Sequence, residues 1–194
     1  MKNPPFTITH TILSTSMDIM QLLGELDAFR MTRPEVSLRK SNQIKTIQAS
    51  LAIEGNTLSI DQVTDLMDGV PVVGPKQDVL EVKNALKLYG CFEGFKYTSI
   101  SDFKKAHKIL MKDLKPDAGS FRAKNVGIFA GSKVAHIAPQ PKMVPKLMQD
   151  LFKFLQNKDD ISLLIKSCVF HYELEFIHPF TDGNGRMGRL WQHL

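Results

Sequence analysis

Apolar residues recur three and four positions apart along most of the chain, the spacing that places them on one face of an α-helix. We therefore predict helices over residues 19–26, 44–51, 79–89, 100–114, 144–155 and 161–172. A shorter helix is predicted to begin after Ser59 and to include Val63 and Leu66, because Ser59 and Gln62 form a capping-box pattern. The predicted fold class is mainly α.

One segment departs from the helical period. Two short runs rich in Val, Ile and Phe flank Gly131 and Ser132 and end at Pro139, a pattern typical of a single β-hairpin. An isolated hairpin is marginally stable in water, so we expect it to pack against the helices. The residues that we assign to it are Val126, Gly127, Ile128, Phe129, Val134, His136 and Ile137.

The composition is that of a globular domain. The chain has 194 residues, of which 43% are hydrophobic and 23% charged, so we expect one compact unit. The net charge of +5 is mild and no Lys/Arg run dominates, which disfavours nucleic-acid binding. No apolar run approaches the roughly 18 residues that span a bilayer, and the N-terminus shows no signal core. We therefore expect a cytoplasmic protein with no membrane partner.

The cysteines and most histidines offer no pattern for a metal site. Cys91 and Cys168 lie far apart in apolar helical windows and are expected to be reduced core residues. His171 has no HExxH pattern or third ligand around it, and His107 and His136 are equally isolated. We expect these three histidines to be packing or hydrogen-bonded residues.

The segment HPFTDGNGRMGR, residues 178–189, concentrates groups that bind phosphate. Its GNGRMG stretch matches GxGxxG, but a dinucleotide fingerprint needs a strand before it and an acidic residue about 20 positions after it. Here a predicted helix precedes the stretch and the sequence ends soon after it. The sequence also contains no Walker A loop and no protein-kinase motifs. What remains is a turn into a new helix, whose free N–H groups and dipole form an anion cradle.

Several side chains of this segment can add to the cradle. We expect Gly183 and Gly185 to take positive φ, with the new helix beginning near Arg186. The side-chain amide of Asn184 can donate to phosphate oxygens. Arg186 and Arg189 offer guanidinium groups that match phosphate geometry.

An imidazole and a carboxylate complete the set. Asp182 can hold a Mg²⁺ ion that bridges the same phosphates. His178 can act as a general base toward an incoming hydroxyl, because an imidazole has an ordinary pKa of about 6.5 and such catalysis contributes about 10² to 10⁴ in rate. Each residue alone has a structural explanation, but the combination within one short segment favours phosphate handling.

Residues 178–189 resemble, position for position, the HPFx[D/E]GNGRxxR signature of the Fic domain family. The preceding HYELEFI, residues 171–177, is similar to the family's usual approach to this motif, and FRAKNVGIF, residues 121–129, is similar to its flap segment. The resemblance covers residues 40–194. It implies a Fic-type helical domain with one β-hairpin flap.

Fic proteins mostly transfer AMP from ATP to a Ser, Thr or Tyr hydroxyl of a target protein, so the resemblance implies a protein adenylyltransferase. His178 would deprotonate the target hydroxyl, and Asp182 would bind Mg²⁺. The flap would align the target segment by strand pairing. The residues that the resemblance assigns to the nucleotide are Thr181, Gly183, Asn184, Gly185, Arg186, Gly188 and Arg189.

A second motif lies upstream in SLAIEGN, residues 50–56. Glu54 would extend an apolar helix stripe and meet the negative end of the helix dipole, which disfavours a carboxylate unless a cation offsets it. The residues alone favour a carboxylate that turns to solvent. However, Ser50, Glu54 and Gly55 match the [S/T]xxxE[G/N] inhibitory motif of many Fic proteins. That resemblance implies an ion pair between Glu54 and Arg189 that keeps Arg189 from the γ-phosphate.

Other activities stay open at this point. Doc-type relatives transfer a γ-phosphate, but they carry Lys in place of the second glycine, so Gly185 argues for AMP transfer. Transfer of UMP or phosphocholine is compatible with the motif, as is removal of AMP from a modified protein with Glu54 positioning water. The alternative of another class is a non-catalytic regulatory or nucleic-acid-binding module.

The resemblance also divides the chain. We expect an N-terminal helical extension over residues 1–39, an inhibitory helix and loop over 40–75, and the Fic core over 76–194. The final RLWQHL is similar to the start of a longer family helix, which suggests a core truncated in its C-terminal helix. Because family members often associate through helical surfaces, a homo-oligomer is also expected.

Overall fold

The computed structural model describes residues 4–29, 36–130 and 133–193. Within these ranges the chain is mainly helical, as the sequence predicts. The helices, numbered in chain order, are α1 (His10–Phe29), α2 (Val36–Ala52), α3 (Ile60–Met67), α4 (Lys76–Gly90), α5 (Ile100–Leu110), α6 (Val144–Gln156), α7 (Leu163–Ile177) and α8 (Asn184–Trp191). Short 3-10 turns precede α5 and α6.

The core lies where α4 and α5, α6 and α7, and α7 and α8 pack against each other, with α2 resting on α3, α4 and α8. Its largest members are fully buried aromatic and aliphatic side chains, among them Phe103, Phe152, Phe154, Phe180 and Ile47. Phe103 makes ring contacts with both Phe152 and Phe180. The aromatic cluster therefore supports the loop before α8 directly.

The helix start at Ser59 is confirmed. Ser59 Oγ accepts from the Gln62 N–H at 3.2 Å, and the Gln62 side chain accepts from the Ser59 N–H at 2.9 Å, so both halves of the capping box are present. Helix α5 ends at Leu110, whereas the apolar pattern predicted a helix that continues to residue 114. The expectation of buried cysteines was wrong: Cys91 and Cys168 are free thiols on exposed residues.

Two short strands interrupt the helices. Gly127–Ala130 (β1) and Lys133–Ile137 (β2) pair antiparallel, with an irregularity in register after Ile128. Residues 131 and 132, the predicted turn, lie outside the described residues. At the base of the pair the Ala138 N–H donates to the Val126 carbonyl at 3.2 Å.

Helix α1 lies away from the core. Its large apolar side chains are exposed, including Leu13, Met17 and Leu22, whereas Phe6 before the helix packs against Phe154. No helix of the described ranges combines the length and the apolar character needed to cross a bilayer.

Candidate active site

The motif begins at a left-handed residue. Helix α7 ends at Ile177, and His178 caps it with φ 49° and ψ 63°, while its N–H donates to the Leu174 carbonyl at 2.9 Å. Left-handed backbone costs a non-glycine residue about 1–2 kcal/mol, so surrounding contacts must hold His178 there. This conformation turns the chain sharply at the predicted general base.

Helix α8 starts at Asn184, two residues earlier than predicted, after a turn at Gly183 with φ 79°. The expectation of positive φ is met at Gly183 but was wrong for Gly185, which is already helical. The Met187 N–H donates to the Gly183 carbonyl at 2.9 Å, which is the first helical bond. The preceding N–H groups of α8 are therefore the ones that an anion could use.

The Asn184 side chain stabilises the loop through the backbone of Phe180. Its side chain is 2% exposed; Oδ1 accepts from the Phe180 N–H and Nδ2 donates to the Phe180 carbonyl, both at 2.9 Å. The backbone of Phe180 engages Oδ1 and one N–H of Nδ2, and the expected contact of this side chain with phosphate stays a prediction. Thr181 is likewise engaged, with Oγ1 donating to Asp117 at 2.7 Å.

His107 is a packed and hydrogen-bonded residue, as expected, and the structure shows that its partners lie in the same loop, which the sequence did not predict. Its ring stacks on Phe180 at 3.5 Å between centroids and lies within 3.0 Å of the Asp182 carbonyl through Nε2. Nδ1 accepts from the Gly119 N–H at 2.8 Å. Burial lowers the pKa of His107 to about 4, so the ring is neutral and Nε2 carries the hydrogen donated to Asp182. An isolated histidine in a helical pattern carries no signal for this contact.

The predicted pair between Arg189 and Glu54 is present. Arg189 Nη2 lies 2.7 Å from Glu54 Oε1 and 3.0 Å from the Ser50 carbonyl, and Nε donates to Ser50 Oγ at 3.0 Å. The two charged side chains are 27% and 35% exposed. Ser50 and Glu54 thus bind one guanidinium between the end of α2 and α8.

Gly185 lies directly beneath this ion pair. A Cβ at Gly185 would approach Glu54 Oε1 to 2.6 Å and Arg189 Nη1 to 3.0 Å. The absence of a side chain at Gly185 therefore leaves room for the ion pair, and the helical backbone there needs no glycine. Just after Glu54, Gly55 has φ 92°, which allows the turn that ends α2, where the Asn56 N–H donates to the Leu51 carbonyl at 3.1 Å.

Arg186 is buried and already paired. Its side chain is 5% exposed, with Nη1 at 3.3 Å from Glu81 Oε1 and Nη2 at 3.0 Å from Asp182 Oδ1. Glu81 also accepts from the Asn56 side chain at 3.0 Å. The predicted contact of Arg186 with phosphate stays a prediction, whereas its contact with Asp182 is observed.

The Asp182 carboxylate is surrounded by donors. Oδ1 accepts from the Gly183 N–H at 2.6 Å, and Oδ2 lies 3.2 Å from Lys115 Nζ. Burial alone would raise the pKa of Asp182, but Arg186, Lys115 and the Gly183 N–H outweigh it, so its pKa is lowered. An ionised, 38% exposed carboxylate fits a Mg²⁺ ion that takes its other ligands from phosphate and water. Among the described residues no cluster of three His, Cys, Asp or Glu side chains could hold a metal unaided.

A buried polar pair lies on the other side of α8. A Cβ at Gly188 would approach Glu175 Oε1 to 2.5 Å and the His171 ring to 3.0 Å, so this glycine allows α7 and α8 to approach closely. Both Glu175 Oε1 and His171 Nδ1 are buried without a hydrogen-bond partner. Burial raises the pKa of Glu175, against smaller opposing effects of His171 and Arg189. Of the two roles expected for His171, packing or hydrogen bonding, its ring packs beside Gly188 while Nδ1 makes no hydrogen bond.

The chain is similar to known proteins in both sequence and fold. The model of the Fic/DOC family matches residues 97–194. The chain is similar to a protein adenylyltransferase of Caenorhabditis briggsae, with 29% identity over 156 residues, or 75% of this chain, and to one of Nematostella vectensis, with 30% identity over 88% of this chain. It also resembles the crystal structure of a Fic family protein from Desulfovibrio desulfuricans, with 45% identity, a TM-score of 0.89 and 98% of this chain covered.

These relatives are longer than the chain. It spans 30% of the Caenorhabditis protein, 43% of the Nematostella protein and 58% of the Desulfovibrio chain.

Proposed function

Because the chain belongs to the Fic/DOC family, we propose that it is an autoinhibited protein adenylyltransferase, which transfers AMP from ATP to a hydroxyl side chain of a target protein. One observation carries the proposal: a single short loop joins His178, Asp182 and the free N–H groups at the start of α8. A base, an anionic metal ligand and an anion cradle thus lie at the same helix junction.

The reaction assigns each of these groups a step. The target hydroxyl oxygen attacks the α-phosphorus while its proton passes to His178 as general base. The bond from the α-phosphorus to the oxygen of the β-phosphate breaks, and pyrophosphate leaves. The N–H groups around Gly185 bind phosphate oxygens, and Arg189 binds the terminal phosphates once Glu54 has released it.

Magnesium would bind at Asp182, where it would neutralise phosphate charge during transfer. Lys115 and Arg186 keep the Asp182 carboxylate ionised and orient it before any ion arrives. Strands β1 and β2 would receive the target segment through backbone hydrogen bonds, which tolerate varied sequences.

Glu54 supplies the inhibition. Its carboxylate and Ser50 together take up the Arg189 guanidinium that would otherwise contact the terminal phosphate. A charge-assisted hydrogen bond contributes about 1.5–3 kcal/mol, so its loss should raise the productive population about ten- to hundredfold. Removal of the Glu54 carboxylate should therefore activate the chain on that scale.

The test incubates the purified chain with Mg²⁺ and α-labelled ATP and locates added AMP by mass spectrometry. We expect Glu54→Gly to incorporate label about ten- to hundredfold faster than the wild type, and His178→Ala in the same background to incorporate none while calorimetry shows retained ATP binding. Parallel reactions of Glu54→Gly with UTP and GTP in a cell lysate identify the transferred group. If Glu54→Gly binds ATP yet labels no protein, the proposal is wrong. Release of AMP from pre-modified protein by the wild type would indicate hydrolytic removal of AMP instead.

A further inference from the structure

Arg122 is a buried cation whose hydrogen bonds go to backbone carbonyls. It lies in the segment between α5 and β1 and is 2% exposed. Its guanidinium donates to four carbonyl oxygens. A buried guanidinium committed to main-chain acceptors fixes the relative positions of the segments that supply them, because each donor direction in its planar group is rigid.

Two of these carbonyl oxygens lie at the C-terminal end of α7. Nε donates to the His178 carbonyl at 2.7 Å, and Nη2 donates to the Ile177 carbonyl at 3.3 Å. These carbonyls carry the negative end of the helix dipole and have no helical donor, so a cation stabilises them. Because His178 has a left-handed backbone, the bond to its carbonyl also holds the peptide that orients the imidazole.

The other two acceptors flank the strand pair. Nη1 donates to the Lys124 carbonyl at 2.9 Å, three residues before β1, and Nη2 donates to the Pro139 carbonyl, two residues after β2. The main chain adds a further tie, since the Arg122 N–H donates to the Pro179 carbonyl at 2.9 Å. One side chain therefore connects both ends of the strand pair to the residue that follows α7.

We propose that Arg122 is a positioning residue, which sets the β1–β2 pair and His178 in one fixed relation so that a hydroxyl held by the strands meets the imidazole. The inference rests on the proposed transfer reaction. The hydrogen bonds of the Arg122 side chain reach neither Asp182 nor Arg189. Arg122 therefore affects the placement of the target hydroxyl and not the binding of ATP.

The test compares Arg122→Lys and Arg122→Gln with Lys166→Gln, all in the Glu54→Gly background. Lys166 is a matched control, because it is 5% exposed and donates to the Asn157 carbonyl near the opposite end of α7. The Arg122 variants should lower kcat for self-modification at least tenfold with KM for ATP within twofold. Lys166→Gln should change neither kcat nor KM for ATP, even if it lowers the melting temperature as much as the Arg122 variants do. An unchanged kcat in a folded Arg122 variant, or a KM for ATP that rises in step with the fall in kcat, overturns the proposal.

A second measurement does not depend on activity. Amide hydrogen exchange reports the Ala138 N–H, which bonds Val126, and the His178 N–H, which bonds Leu174. Both amides should exchange at least tenfold faster in Arg122→Lys and not in Lys166→Gln; unchanged exchange overturns the positioning role. Should Glu54→Gly bind ATP but transfer no AMP, the proposed function fails, and the exchange result alone decides whether Arg122 couples the two segments.

Discussion

Glu54 and Arg189 are separated by 135 positions in the sequence, yet Glu54 Oε1 lies 2.7 Å from Arg189 Nη2. The contact joins the turn after α2 to the last turn of α8, directly over Gly185. Arg189 is favourably placed near the C-terminal end of α8, and it also offsets the unfavourable position of the Glu54 carboxylate just after the C-terminal end of α2. The inhibited arrangement is thus also a stabilising one.

Ser50→Ala should weaken the inhibitory contact only in part. The variant loses the Oγ that accepts from Arg189 Nε, but it keeps the Ser50 carbonyl and Glu54 as acceptors. A net hydrogen bond contributes about 0.5–1.5 kcal/mol, so AMP incorporation should rise about two- to tenfold, less than in Glu54→Gly. Labelling rates of the two variants side by side decide the order. Faster labelling by Ser50→Ala would show that Glu54 is not the main restraint.

Gly183→Ala should destabilise the chain. Gly183 has φ 79°, and a Cβ there would approach the Met111 sulfur to 2.8 Å, so strain and a clash combine. We expect a loss of about 1–3 kcal/mol, measured by denaturant unfolding. Gly24→Ala is the matched control: it lies within α1, a Cβ there would meet no atom within 4 Å, and alanine favours helix by about 1 kcal/mol. Equal effects at both sites would contradict this account.

Glu81→Gln should lower the free energy of unfolding, because it breaks a buried ion pair with Arg186. The variant removes the carboxylate 3.3 Å from Arg186 Nη1, where the two side chains are only 12% and 5% exposed. Leaving a buried guanidinium with Asp182 as its remaining charged partner should cost about 3 kcal/mol of unfolding free energy. The exposed Glu93, changed to Gln, should cost less than about 0.5 kcal/mol. Calorimetric unfolding of both variants tests the difference.

Glu175→Gln should stabilise the chain in a pH-dependent way. Because burial raises the pKa of Glu175 above its unfolded value, the folded state binds the proton more tightly, and stability is lost as pH rises through the folded pKa. A neutral amide removes this loss. The variant should therefore melt at a higher temperature than the wild type at pH 7, and the gap should close as pH falls below the ordinary range of a glutamate. A gap that widens toward acid would mean that the attraction of His171 and Arg189 for the Glu175 carboxylate dominates instead.

Local features of the sequence were sufficient for the helices and for the capping box at Ser59, because periodicity and caps depend on neighbours in the chain. The same reasoning predicted strands near Gly131, where β1 and β2 pair on either side. It failed for the cysteines, since apolar spacing in a helix does not say which face the rest of the protein covers.

The motif residues were readable from the sequence, but their uses were decided by the tertiary structure. Asn184 binds the loop backbone and Arg186 is held by Glu81, partners that spacing alone does not reveal. The partners of His107 and Arg122 could not be predicted for the same reason, since each donates to a carbonyl more than 50 positions away. The sequence by itself determined which chemical groups are present and in which local elements they lie. Only packing of α2, α5 and α7 around α8 decided which of them are desolvated, paired or free, because burial and charge pairing depend on distance in space.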